Sequence, residues 1–178
     1  MPDVFNDMLH TWQNFYFMAG GTAATLIGLM FVAVSLGIGI ISTEITEEMK
    51  AFVTPSIIYF VSVLLIACVM LVPLYSPPVL ALLLFGGGLV GLNWSIPFVR
   101  KLILIAKKNQ DFNRWDWLTQ VILPVFNYVL LLIMAVLFAI NQWSLAFIGL
   151  WATSILLLVC AIANTWSLVI WIVEQKKS

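Results

Sequence analysis

Long apolar stretches free of charge constrain this chain more than any other feature. Five such stretches occur, at about 15–41, 51–75, 79–99, 118–140 and 144–173, and none contains Lys, Arg, Asp or Glu. A helix needs about 20 apolar residues to cross the hydrocarbon core of a bilayer, where its backbone polar groups must be satisfied internally. We therefore expect an all-α fold, a polytopic transmembrane bundle of five spans that forms a single domain over residues 1–178.

The composition supports a membrane environment and excludes one class of partner. Of the 178 residues 63% are hydrophobic and only 9% are charged, whereas a soluble domain carries about 25% charged residues. Eight basic and eight acidic residues give a net charge of zero, so the chain has no basic field for nucleic acid. The first expected partner is the lipid bilayer itself.

The distribution of basic residues predicts the orientation. With five spans and the N-terminus outside, every Lys and Arg falls on the cytoplasmic side, as the positive-inside rule requires. They are Lys50, Arg100, Lys101, Lys107, Lys108, Arg114, Lys176 and Lys177. The pattern predicts a multi-pass protein with its N-terminus outside and its C-terminus in the cytoplasm. We expect the basic inner loop between spans three and four to attract anionic lipid.

The segment before the first span has two interpretations. Residues 3–14 place Val4, Phe5, Met8 and Leu9 at helical spacing, which is typical of an amphipathic helix lying on the membrane surface. The same residues also fit a plain extension of the first span. The pattern does not choose between these alternatives.

Two spans carry small residues at every fourth position. Lipid gives no hydrophobic drive for helices to associate, so close approach through small side chains does much of that work. The predicted helix-packing residues are Gly20, Ala24 and Gly28 in span one and Gly87, Gly91 and Ser95 in span three. Both packing within one chain and packing between copies fit this spacing.

Polar residues form a layer at one predicted depth. Asn93, Asn127 and Asn164 each lie roughly 9 to 14 Å from the cytoplasmic end of a different span, at 1.5 Å per residue. Ser35 reaches a comparable level from span one. These side chains are typical either of a polar pore or solute site or of interhelical hydrogen bonds that hold the bundle together.

Two prolines lie near this layer and predict hinges. A proline inside a helix leaves the carbonyl four residues earlier without its hydrogen bond. Pro97 therefore frees the carbonyl of Asn93, and Pro124 frees that of Gln120. We include Gln120 in the predicted polar layer for this reason.

No catalytic arrangement is visible. Chemistry within a membrane requires an intramembrane acid, a His with Glu, or an activated Ser or Cys near a base, and none of these pairs occurs here. Cys68 and Cys160 lie inside apolar segments and lack metal-ligand spacing. We expect a protein that is not an enzyme and that has no metal site and no cofactor.

The stretch from Ala19 to Ser35, AGGTAATLIGLMFVAVS, resembles the first span of a group of small multi-span bacterial inner-membrane proteins, themselves largely uncharacterised. It covers about a tenth of the chain. The resemblance implies a bacterial inner membrane, and it supplies no substrate, cofactor or catalytic residue.

Two functional hypotheses follow from these features. The first is a homo-oligomeric, channel-like pore or permeation protein in which the asparagine layer faces a path for ions or small solutes. The alternative is an assembly or regulatory partner that docks on another membrane complex through its small-residue faces. A secondary transporter is disfavoured, since it would be expected to carry an intramembrane charge or an inverted repeat.

Overall fold

The computed structural model describes residues 2–41, 47–72, 76–108 and 122–175, with side chains at 4–36, 53–72, 76–96, 122–170 and 172–173. Within these ranges the regular structure is entirely helical, and each predicted span falls on one helix. The helices are α1 (Pro2–Ile41), α2 (Glu47–Leu71), α3 (Pro77–Lys108), α4 (Leu123–Ala139) and α5 (Trp143–Gln175).

Four of these helices are long and apolar enough to cross a membrane. Their apolar spans are Val4–Leu36, Val53–Leu71, Pro77–Ile96 and Trp143–Ile170. α4 is also apolar but has 17 residues, and residues 118–121 of the predicted fourth span lie outside the described residues. The fold is thus an all-helical, membrane-embedded bundle, while the number of spans and the orientation of the termini stay predictions.

Helix α1 begins at Pro2 and continues without interruption to Ile41, a length of about 60 Å at 1.5 Å per residue. Residues 3–14, for which the sequence left two alternatives, are part of this helix. Phe5 packs there against the rings of Phe138, Trp143 and Phe147, with centroids 5.5 to 6.4 Å apart. This aromatic cluster anchors the start of α1 on the turn that joins α4 to α5.

The helices are arranged around α5, which packs against α1, α2 and α4. α1 also packs along α2, and α3 packs along α4. α2 and α3 follow each other in the chain but make little contact. α3 is therefore a peripheral helix with one close neighbour, and a gap separates it from α2.

Small residues set the closest helix contacts. A Cβ atom built on Gly91 would overlap the ring of Tyr128, and one on Gly88 would lie 2.6 Å from Cδ2 of Leu132. These two glycines let the backbone of α3 lie directly against side chains of α4. A Cβ on Gly20 would similarly lie 2.9 Å from that of Ala67, so the contact between α1 and α2 is equally close.

Candidate functional site

The gap between α2 and α3 forms a cavity of about 510 Å³, which we call the α2–α3 groove. One wall belongs to α2, from Ile57 to Val69, and the other to α3, from Leu83 to Trp94. Tyr128 and Leu131 of α4 form its floor. The volume lies in the range of about 300–1,000 Å³ that is usual for small-molecule sites.

The groove opens sideways, toward the surroundings of the bundle. Residues on both walls are exposed, including Leu65 on α2 and Leu83, Val90 and Trp94 on α3. In a membrane-embedded helix, such side chains face the hydrocarbon tails of lipids. The groove is therefore accessible from within the bilayer.

One polar pair interrupts this apolar surface. The hydroxyl oxygens of Ser62 and Tyr128, both groove-lining residues, lie 2.9 Å apart. Ser62 also donates its single hydroxyl proton to the carbonyl of Ile58, at 2.8 Å. With the Ser62 proton donated to Ile58, the Tyr128 hydroxyl is the donor in the pair, since a serine hydroxyl has one proton. The Tyr128 oxygen then keeps acceptor capacity for a further hydrogen bond.

The polar pair lies near the middle of two apolar stretches, which is mid-bilayer depth for helices that cross a membrane. Ser62 lies one residue from the centre of the charge-free stretch 51–75, and Gly87, on the opposite wall, lies two residues from the centre of the stretch 79–99. Water is scarce at that depth, so a polar group there gains more from a specific partner than it would at a surface.

Of the three predicted asparagines, two are buried and one is exposed. Asn164 is buried and donates a hydrogen bond to Ser56 of α2, with 2.9 Å between Nδ2 and Oγ. Asn127 is also buried, and its Nδ2 lies 4.0 Å from Sγ of Cys160 on α5. Asn93 is exposed on α3. The two buried asparagines thus lie in helix–helix contacts, and the third faces away from both.

The other predicted polar and hinge residues are also dispersed. Ser35 is exposed on α1, and Gln120 lies outside the described residues. Pro124 is buried near the start of the described part of α4. Pro97 lies within α3, and its side chain is outside the described set. The hinge hypothesis stays a prediction.

The predicted packing residues divide between inner and outer surfaces. Gly20, Gly91 and Ser95 are buried in contacts within the chain, whereas Ala24 and Gly28 are exposed on α1. Gly87 lines the groove and is exposed, with nothing within 4 Å of a Cβ built on it. The spacing of small residues therefore indicates which helices make close contacts, but not which side of each helix makes them.

Chemistry-bearing groups are sparse in the part of the chain that the structure describes. No group of three or more His, Cys, Asp or Glu residues there has metal-binding geometry. Cys68 is exposed and Cys160 is buried, and neither forms a disulfide. In the described ranges the groove is the feature best suited to hold a ligand.

Sequence reasoning did not identify the groove, although one signal for it was present. Ser62 and Tyr128 are polar residues in the interiors of two apolar stretches that do not follow one another in the chain. Their pairing depends on α2 and α4 meeting across the bundle, which hydropathy alone does not predict. In comparisons with protein-family models, with curated proteins and with solved structures, no match to this chain was found.

Proposed function

We propose that this protein is a non-enzymatic membrane protein that binds one lipid-like apolar chain in the α2–α3 groove. The observation that carries the proposal is the combination of a lateral, apolar groove with a hydrogen-bond acceptor at its centre. The hydroxyl pair of Ser62 and Tyr128 supplies that acceptor. Ligand binding by such a groove fits a regulatory or assembly role in the membrane better than passage of ions across it.

The dimensions favour a chain over a protein helix as the ligand. The α2 wall, Ile57–Val69, is about 18 Å long at 1.5 Å per residue. A helix is about 10–12 Å wide with its side chains, which is wider than a groove of this length and volume accepts. A hydrocarbon chain is narrow enough to enter.

The polar pair supports a preference for a chain that carries a hydrogen-bond donor. An apolar chain gains little on moving from lipid into an apolar groove, because both environments are hydrocarbon. A hydroxyl near the middle of the chain would instead donate to the free acceptor of Tyr128 at mid-bilayer depth. That hydrogen bond distinguishes the ligand from bulk lipid.

The proposal is tested with two fatty acids of equal length, one with a mid-chain hydroxyl and one without. Both are titrated against the purified protein in detergent micelles by displacement of a fluorescent fatty acid. We expect the hydroxylated acid to bind about 3- to 10-fold more tightly, the value of one intramembrane hydrogen bond. Tyr128→Phe should remove this preference.

A matched pair of glycine substitutions locates the binding. Gly87→Phe places a ring inside the groove and should abolish displacement by both acids. Gly86→Phe is its control, because Gly86 is exposed, has nothing within 4 Å of a built Cβ and does not line the groove. Equal binding by the two variants would refute the proposal, as would a preference that survives in Tyr128→Phe.

A further inference from the structure

The outward side of α3 carries a polar residue whose side chain has no partner among the described residues. Asn93 is exposed, and within the described residues its side chain has no hydrogen bond, ion pair or other electrostatic partner. It lies four residues, or about 6 Å, from the centre of the charge-free stretch 79–99, inside the roughly 15 Å half-thickness of the hydrocarbon core. An amide at this depth gains from a hydrogen-bond partner, and a second copy of the chain can supply one.

Asn93 belongs to a continuous exposed stripe. Exposed residues recur along α3 at alternating spacings of four and three, which places them on one side of the helix. The stripe consists of Leu82, Gly86, Leu89, Asn93 and Ile96. Such spacing is typical of a helix that packs against another helix, and a single Asn within an apolar seam fixes the register of the pair.

We propose that this stripe, the α3 stripe, is the interface of a homodimer in which Asn93 pairs with its own counterpart. Copies of one chain insert with the same orientation, so a two-fold axis along the membrane normal brings each residue of the stripe to the same residue of the second copy. An amide is self-complementary, with both a donor and an acceptor. Two copies of Asn93 therefore satisfy each other at equal depth.

The rest of the α3 stripe fits close approach of two helices. Gly86 is exposed, and a Cβ built on it has no atom within 4 Å, so it leaves room for a second backbone. Leu89 and Ile96 are also exposed, each with nearly half of its surface accessible, and flank Asn93 with apolar surface. Small residues that permit contact and one polar residue that adds a hydrogen bond are the usual composition of a membrane helix interface.

The α3 stripe and the α2–α3 groove are separate surfaces of the same helix. Gly86 belongs to the stripe and Gly87 lines the groove, and consecutive residues of a helix are about 100° apart around its axis. The dimer therefore leaves the groove open. Dimerisation does not rest on ligand binding, and either proposal can fail without the other.

The test measures self-association by energy transfer between donor- and acceptor-labelled protein in liposomes, over a series of protein-to-lipid ratios. We expect a dimer for the wild-type protein. Asn93→Leu should raise its dissociation constant about 3- to 30-fold, and Asn93→Gln should restore much of the affinity, since it keeps the amide. A wild-type protein that stays monomeric, or an unchanged constant in Asn93→Leu, would overturn the proposal.

Two further comparisons test which face of α3 forms the dimer interface. Gly86→Phe should prevent dimerisation, whereas Gly87→Phe should leave it intact. In a Cys68→Ala background, Leu89→Cys should form a disulfide-linked dimer on oxidation, while Leu83→Cys, on the groove side of α3, should not. The reverse pattern in either comparison would show that another face mediates association.

Discussion

The close contact between Gly91 and Tyr128 gives a quantitative test of the packing. Substitution Gly91→Ala places a methyl group where the Tyr128 ring lies, and α3 has no other close neighbour to which it can shift its packing. Overpacking of this kind costs about 1–3 kcal/mol. Displacement of the ring also weakens the hydrogen bond to Ser62, worth about 0.6 kcal/mol in a membrane protein.

One effect opposes this loss. Alanine favours a helix over glycine by about 1 kcal/mol, so we expect Gly91→Ala to lower the free energy of unfolding by about 0.6–2.6 kcal/mol in total. Gly87→Ala is the matched control on the same helix, because its Cβ meets nothing within 4 Å. That substitution should be neutral or stabilise by up to about 1 kcal/mol.

The assay is equilibrium unfolding in mixed micelles at increasing mole fractions of a denaturing detergent, followed by tryptophan fluorescence. The double variant Gly91→Ala with Tyr128→Leu identifies the cause, because removal of the ring frees the space that the methyl group needs. In that background Gly91→Ala should cost less than about 0.5 kcal/mol. Equal stability of Gly91→Ala and Gly87→Ala, or an unchanged cost in the Tyr128→Leu background, would refute the reasoning.

Three other predictions address the remaining contacts and the pore hypothesis. Phe5→Ala should lower the free energy of unfolding by about 3 kcal/mol in the same assay, since the ring is buried in an aromatic cluster. Its control is Val4→Ala, which alters an exposed neighbouring residue and should change stability little. Ser56→Ala should cost about 1 kcal/mol by removing the acceptor for Asn164. Liposomes containing the protein should pass ions no faster than empty liposomes. Flux that Asn127→Leu abolishes would instead favour a pore.

Hydropathy predicted the helices because lipid imposes a simple rule, that a spanning segment be long and apolar. The depth of a residue along its helix follows from the constant rise per residue, and it stays a prediction. The rotation of each helix about its own axis could not be predicted from the sequence. Counting residues placed Asn93 and Asn127 at one depth, yet Asn93 is exposed and Asn127 is buried. A helix that is apolar on nearly all sides has no polar face from which its rotation about its axis can be predicted.

The α2–α3 groove could not be predicted from the sequence for a related reason. Its existence depends on α2 and α3 diverging although they are consecutive in the chain, and on Tyr128 reaching between them from α4. Gly88 and Gly91 dock α3 against α4, which draws α3 away from α2. The pattern of glycines thus predicted a close contact on α3 but not the cavity that this contact creates beside it.

The most direct test of ligand binding is the mass of the intact protein released from detergent micelles by native mass spectrometry. The wild-type chain should retain one additional lipid-sized mass per copy. Gly87→Phe should lose that mass, and Gly86→Phe should keep it, even if it no longer dimerises. A wild-type chain without bound mass, or equal retention by both variants, would contradict the assignment of the α2–α3 groove as a binding site.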